Sequence, residues 1–271
     1  MDNSRAVLFE KVQNARDLGG IIIGDSQIKR GKLLRCASLS NATGEDILKL
    51  QKEYNPAYVV DFRMNHETEQ SPDPKIPDTL NYSIPVLELE NVPGHKADFF
   101  SHKKETSDSR LQKLIELTKS GLPDERLYLL FLHSERGKKA YTTFFNLLIQ
   151  LPEDKGMVWH CKDGKDRTGI AAMLLLSALG ASNDVIMEDY LLTNKQNEKP
   201  LSELRHKLDG VDIPESQKEI ILFISGSVYE RYLLSAINWL KENYGGALGY
   251  LSKECMVDEA AVRKLKEKFL V

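Results

Sequence analysis

The segment His160-Cys161-Lys162-Asp163-Gly164-Lys165-Asp166-Arg167-Thr168-Gly169 holds the side chains best suited to chemistry. Its cysteine and arginine, separated by five residues, suit the cleavage of a phosphate ester. Such a reaction needs a thiolate, because the thiol is a poor nucleophile. It needs several N–H donors aimed at the phosphoryl oxygens that carry charge in the transition state. It also needs a cation that can grip two oxygens at once, a task better suited to Arg than to Lys. A strand-to-helix loop with Cys161 first and Arg167 last can supply all three. Its amides can curl into an anion nest, and a helix beginning near Arg167 adds its dipole and free N–H groups. The same field favours the thiolate over the thiol. Gly164 permits backbone conformations closed to other residues, and Thr168 could donate its hydroxyl to the departing thiolate.

The C-x5-R spacing by itself is a weak signal. Here it is strengthened by an apolar strand before it, a histidine next to the cysteine, a glycine within the loop and Arg-Thr-Gly at a helix start. The plain alternative is a buried cysteine beside an ordinary turn. A nucleotide-binding loop of the Walker type fits poorly, because Gly164-Lys165 is followed by Asp and not by Ser or Thr.

These residues need a scaffold, and the chain is long enough to provide one. At 271 residues it can hold one large domain or two small ones, with a full hydrophobic core. The 37 basic and 40 acidic residues leave a formal charge of -3, which argues against a dedicated duplex-DNA binder. Three cysteines, distant from one another and outside CxxC pairs, argue against a disulfide scaffold or a Cys-based zinc module. No histidine pair has the HExxH spacing of a catalytic metal site. The opening MDNSRAVLFEKV lacks a basic segment followed by a long apolar one, so a cytoplasmic location without a stable membrane anchor is expected. A removed leader, or export without one, remains compatible with that opening.

Residues 20–36 read as a hairpin turning at Asp25-Ser26. Thr43 to Tyr54 reads as a helix with Thr43 and Asp46 as a capping pair, Ala57 to Val60 as a buried strand running into Asp61, and Leu80 to Val86 as another strand. Leu111 to Thr118 and Tyr128 to Leu151 have helical spacing, and Lys138 to Leu151 reads as one core helix. Gly156 to His160 is a short apolar strand, and Thr168 to Leu179 a helix closed by Gly180. Asn183 to Asn194, Leu201 to Leu208, Val228 to Tyr244 and Asp258 to Leu270 also read as helices. Strands early and in the middle, with helices between and after, give an α/β class. No repeat or linker divides the chain, so residues 1–271 are expected to form a single domain. Residues 88–136 read as a helical insertion, either a lid over a pocket or a packed elaboration.

HCxxGKDRTG resembles the signature loop of the protein-tyrosine-phosphatase superfamily. More narrowly, it is similar to that of the bacterial atypical, lipid-phosphatase-like tyrosine phosphatases. Asn14-Ala15-Arg16-Asp17-Leu18-Gly19-Gly20, Arg35 to Leu39, Asp61-Phe62-Arg63, Asp189-Tyr190-Leu191-Leu192 and Tyr244-Gly245-Gly246 resemble further stretches of that family. The resemblance covers nearly the whole chain. It implies a central, mostly parallel sheet flanked by helices.

It further implies a metal-independent phosphomonoester hydrolase without cofactors, with Cys161 as nucleophile and Arg167 as phosphate clamp. Asp166 and Asp61 are the two candidates for the general acid, with Asp166 preferred. Lys162, Asp163, Gly164, Lys165, Thr168 and Gly169 would hold the phosphate or another oxyanion in the loop. Lys at both loop positions resembles phosphoinositide-directed phosphatases. Asp163 stands where many members carry Ala, and could weaken highly phosphorylated ligands or order the loop. Phosphotyrosine in a protein is the expected substrate, with phosphoinositides and phosphoserine or phosphothreonine as further ones. An inositol-polyphosphate phosphatase of phytase type is one alternative, and an inactive phosphate-binding module is another. His160 is expected to orient Cys161, and Arg16-Asp17 to be a structural unit near the loop.

Overall fold

Three parallel strands end level with one another, and the loop that matters follows the middle one. The computed structural model describes residues 5–88, 107–119, 121 and 123–271. In chain order the strands are β1 (Arg16–Asp17), β2 (Ile22–Ile23), β3 (Ser26–Gln27), β4 (Leu33–Cys36), β5 (Pro56–Asp61), β6 (Leu80–Ser83) and β7 (Gly156–His160). The main sheet runs β1-β4-β7-β5-β6. Only β1 is antiparallel to its neighbour, so the sheet is mostly parallel, as the family resemblance implied. The small β2–β3 pair turns through Gly24 and Asp25, one residue earlier than the sequence suggested. Leu33 to Cys36 leaves that hairpin and joins the main sheet beside β7.

A parallel sheet is covered on both faces, and the strand residues alternate accordingly. Leu33, Val60, Met157 and Trp159 point into the larger core, and Leu34, Val59 and Val158 into a second core on the other face. The second face is covered by helix α1 (Gly44–Tyr54), through Leu50 and Tyr54. Thr43 and Asp46 form the expected capping box, and left-handed Asn55 ends the helix just before Pro56. Helix α2 (Asn65–Gln70) follows β5, and α3 (Ser107–Thr118) follows β6. The helical stretch from Tyr128 to Leu151 is two helices, α4 (Arg126–His133) and α5 (Glu135–Gln150), the second starting three residues before the expected core helix at Lys138. Ser134 divides them: its backbone is extended and its hydroxyl accepts from Gly137 N–H, which starts a new helix.

Helix α6 (Arg167–Leu179) is apolar on every side because every side is covered; Ile170 to Leu176 are all buried. Beyond it lie α7 (Asn183–Gln196), α8 (Glu198–Asp209), α9 (Glu215–Ile224), α10 (Glu230–Tyr244), α11 (Ala247–Cys255) and α12 (Glu259–Phe269). Helices α2, α9 and α11 are additions to the sequence reading. Helices α3, α8 and α9 share a satellite core built on Leu114, Leu208, Ile221 and Leu222. Of the expected insertion at 88–136, residues 89–106 lie outside the described residues, while α3 and α4 belong to the described part. Among the described residues, no helix is long and apolar enough to cross a membrane.

Candidate active site

Cys36, Asp61 and His160 are register partners across β4, β7 and β5, so the three strand ends form one edge. Ligand sites of open parallel sheets lie at this carboxyl edge. The segment from Cys161 to Arg167 leaves β7 there and runs directly into the first turn of α6. Gly164 is its tightest point. It has φ +67°, and a Cβ there would overlap the Cys36 carbonyl, so both backbone shape and close approach call for glycine.

The loop is held by its carbonyls, an arrangement that can turn backbone amides towards an anion. Ser38 N–H donates to Lys162 O at 3.0 Å. Asn14 Nδ2 donates to Asp163 O at 2.9 Å, and Arg35 Nη2 to Gly164 O at 3.0 Å. Arg35 is fixed in turn by Asp189 Oδ2 at 2.6 Å. Arg16 and Arg5 converge on the same carboxylate at 3.2 and 2.9 Å. Burial penalises the Asp189 carboxylate, but the three guanidiniums outweigh it and hold its pKa well below the usual range. Burial, together with the charge of Arg35, lowers Arg16 to about 9.

The Arg167 guanidinium meets Glu67 of α2 through two contacts, Nη1–Oε2 at 2.6 Å and Nη2–Oε1 at 3.3 Å. Desolvation works against the Glu67 carboxylate, yet Arg167 pulls its pKa down to about 2. The pair fixes the plane of the guanidinium beside the loop. Cys161 is nearly fully buried at the base of the loop. Thr168 Oγ1 is buried and has no hydrogen-bond partner among the described residues, so this hydroxyl remains free for the expected role.

The two lysines of the loop separate. Lys162 is exposed. Lys165 is only 2 % exposed; its Nζ lies 3.0 and 2.9 Å from the two Asp166 carboxylate oxygens and 3.7 Å over the Phe223 ring of α9. Asp166 also accepts from the Tyr128 hydroxyl of α4 at 2.6 Å, and that hydroxyl is 2.8 Å from Tyr190 of α7. Asp163 is half-buried, and desolvation raises its carboxyl pKa despite nearby Lys162 and Lys165.

Asp61 is bound up with Arg63, accepting from its backbone N–H at 2.9 Å, from Nε at 3.0 Å and from Nη2 at 2.8 Å, and from the Thr68 hydroxyl at 3.1 Å. Burial opposes its ionisation, but His160 and Arg63 keep its pKa below the ordinary value. Asp61, Asp73 and His160 lie close enough to surround a cation. The Arg63 guanidinium already serves that purpose, bridging Asp61 and Asp73 at 2.8 and 2.9 Å. Beside the loop lies a cavity of about 760 Å³, walled by Lys162, Asp163, Ser38, Arg63, Glu67 and Gln70.

Sequence reasoning missed Glu67, Asp73, Tyr128 and Phe223, which carry no local signal of a partner. Asn14, Arg35 and Asp189 stood inside quoted motifs, without any indication of what they hold.

A loop of this build, with carbonyls tied back and a paired arginine at a helix start on the carboxyl edge of a parallel sheet, defines a protein of the phosphoryl-handling, tyrosine-phosphatase class. Residues 7–271 match the profile of the tyrosine phosphatase family. The chain belongs to that family and is a phosphatase. It is 25% identical over 257 residues to a protein of Cupriavidus necator provisionally named a tyrosine-protein phosphatase, covering 94% of this chain and 86% of that one. It is 24% identical over 260 residues to the triple specificity protein phosphatase PtpB of Mycobacterium tuberculosis, covering 88% of this chain and 91% of the relative.

Proposed function

We propose that the protein hydrolyses phosphomonoesters through a phosphocysteine, with protein phosphotyrosine as the main substrate and phosphoinositides and phosphoserine or phosphothreonine as further ones. The carrying observation is the position of Cys161 at the buried base of a loop whose carbonyls are tied back and whose far end holds the Glu67-paired Arg167. In the first step the Cys161 thiolate attacks phosphorus. The bond to the leaving oxygen breaks, and that oxygen takes a proton from the general acid. In the second step water attacks phosphorus, gives a proton to the same carboxylate and displaces the thiolate. Arg167 and the loop amides stabilise the phosphoryl oxygens in both steps.

Asp166 is the better general acid. It lies within the loop next to Arg167, its side chain is 19% exposed against 7% for Asp61, and hydrogen bonds from Lys165 and Tyr128 fix its position. Asp61, by contrast, is engaged by Arg63. Exposed Lys162 is the loop cation available to a second anionic group on the substrate, while buried Lys165 holds Asp166. The name of the Mycobacterium tuberculosis relative supports more than one substrate class.

The test is phosphate release from phosphopeptides, phosphoinositides and phytate, by the wild type and Cys161→Ser. We expect the variant to lose turnover on all of them. Full retention would overturn the thiolate mechanism, preference for phytate would favour the inositol-polyphosphate alternative, and binding without turnover by the wild type would favour an inactive module. Asp166→Asn should remove the alkaline limb of the kcat profile for a poor leaving group and spare an aryl phosphate with a good one. The same behaviour in Asp61→Asn instead would reverse the assignment.

A further inference from the structure

His160 has both ring nitrogens facing oxygens that can only accept. Nδ1 is 3.2 Å from the Cys161 carbonyl oxygen and 3.7 Å from Asp61 Oδ1. Nε2 is 2.8 Å from Asp73 Oδ2, at an angle that makes it a charge contact more than a straight hydrogen bond. A neutral imidazole carries one N–H and one lone pair, so it would turn a lone pair towards one of these oxygens. A ring protonated on both nitrogens puts an N–H at the Cys161 carbonyl and a positive charge beside Asp73. The ring is fully buried, so no water competes for either nitrogen.

Asp73 is built for this contact. It lies between Pro72 and Pro74, whose rings limit the backbone on both sides. Ile76, three residues on, anchors the segment in the second core. Arg63 Nη2 takes the other Asp73 oxygen at 2.9 Å, and Arg63 Nη1 takes Ser71 O at 2.8 Å. We propose that Asp73 is a positioning residue which keeps the His160 ring doubly protonated and hydrogen-bonded to the Cys161 carbonyl, and thereby favours the Cys161 thiolate. This inference deepens the proposed thiolate mechanism and rests on it.

Charged and titratable groups face His160 from several elements. Asp61 comes from β5, Arg63 follows it, Asp73 comes from the segment after α2, and Cys36 comes from β4. Burial by itself would push the imidazole towards its neutral form; Asp61 and Asp73 outweigh burial and the opposing charge of Arg63, and raise its pKa. Burial also holds the Cys36 thiol well above its ordinary pKa, so that neighbour stays uncharged. Asp61 is already engaged by Arg63 and Thr68, and its oxygen is the more distant of the two. Asp73 is therefore the carboxylate in direct contact with the ring.

Two measurements on the full chain test the role. In the wild type, ring nitrogen shifts of His160, assigned by comparison with His160→Asn, should report both nitrogens protonated at pH 7.5; a neutral tautomer overturns the proposal whether or not any variant folds. In Asp73→Asn, alkylation of Cys161 by iodoacetamide, followed by peptide mass, should slow about tenfold at pH 6, the size expected when the imidazole next to Cys161 loses its positive charge. Its limiting rate at high pH should be unchanged, and Asp73→Glu should restore most of the rate at pH 6. Superimposable pH profiles for wild type and Asp73→Asn overturn the role. If they coincide while Cys161→Ser is inactive, only the role of Asp73 fails; if Cys161→Ser keeps full turnover, the thiolate mechanism itself fails.

Discussion

Glu67 illustrates how one carboxylate can govern the site without touching the reaction. It grips Arg167 from the side, and on the proposed mechanism this orients the guanidinium before an oxyanion arrives. Preorganisation of this kind lowers the cost of binding and acts on the transition state as well. Glu67→Gln keeps the shape and removes the charge; it should lower kcat/KM by about 10- to 100-fold, the effect of losing roughly 1.5–3 kcal/mol from a charged hydrogen bond. Steady-state kinetics on an aryl phosphate, with phosphate as competitive inhibitor, check this. The pair also links stability to pH. The folded pKa of Glu67, about 2, lies below its ordinary 4.5, so the stabilisation is complete above about pH 4.5 and is lost as pH falls through 2. Acid unfolding of the wild type should therefore lose up to about 3 kcal/mol that Glu67→Gln does not lose. Coincident acid profiles of the two proteins would contradict this.

At the scale of elements, the loop between β7 and α6 depends on one glycine and on what lies behind it. Gly164→Ala demands a left-handed alanine and drives its Cβ into the Cys36 carbonyl of β4. Backbone strain alone costs about 1–3 kcal/mol, and the overlap forces either the loop or β4 to move. Activity should fall by more than 100-fold, with a lowered melting temperature and weaker phosphate binding; a variant that keeps near-native turnover would show that the loop adapts. The division between α4 and α5 is a smaller matter. Ser134 caps α5, so Ser134→Ala should cost about 1 kcal/mol in denaturant unfolding and leave turnover near that of the wild type. The helical pattern from Tyr128 to Leu151 and a core helix in its second half were legible in the sequence, while the exact place of the break was not. Tyr128, Phe131, Leu132, Phe144 and Phe145 all remain buried on either side of it, so the apolar spacing gives little sign of a change of axis.

Across the whole molecule, Asp189 joins distant parts of the chain. Arg5, Arg16 of β1 and Arg35 of β4 meet it on α7, and Arg35 passes the restraint on to the Gly164 carbonyl. Removing one partner of a buried ionic cluster leaves uncompensated charge, at a cost of about 3–5 kcal/mol. Asp189→Asn should therefore lower stability by that order and reduce phosphate affinity together with it, as thermal unfolding with and without phosphate would show. A variant with native stability would mean that the three arginines find solvent or another acceptor.

Much of the protein was determined by the sequence alone. The composition of the loop, the cap at Thr43, the glycine at 180 and the buried strand before Cys161 are local, and each follows from spacing and backbone preference within a few residues. The parallel sheet followed from the order of elements and from family resemblance. Tertiary structure decided which charges meet. Arg167 pairs with a glutamate 100 positions away, His160 faces an aspartate between two prolines, and Lys165 turns under an aromatic ring of α9 instead of towards solvent. No period or motif singles out Glu67 or Asp73 from the other acidic residues. Only the fold brings them out of water beside a particular cation, where a low dielectric turns a common residue type into a specific partner.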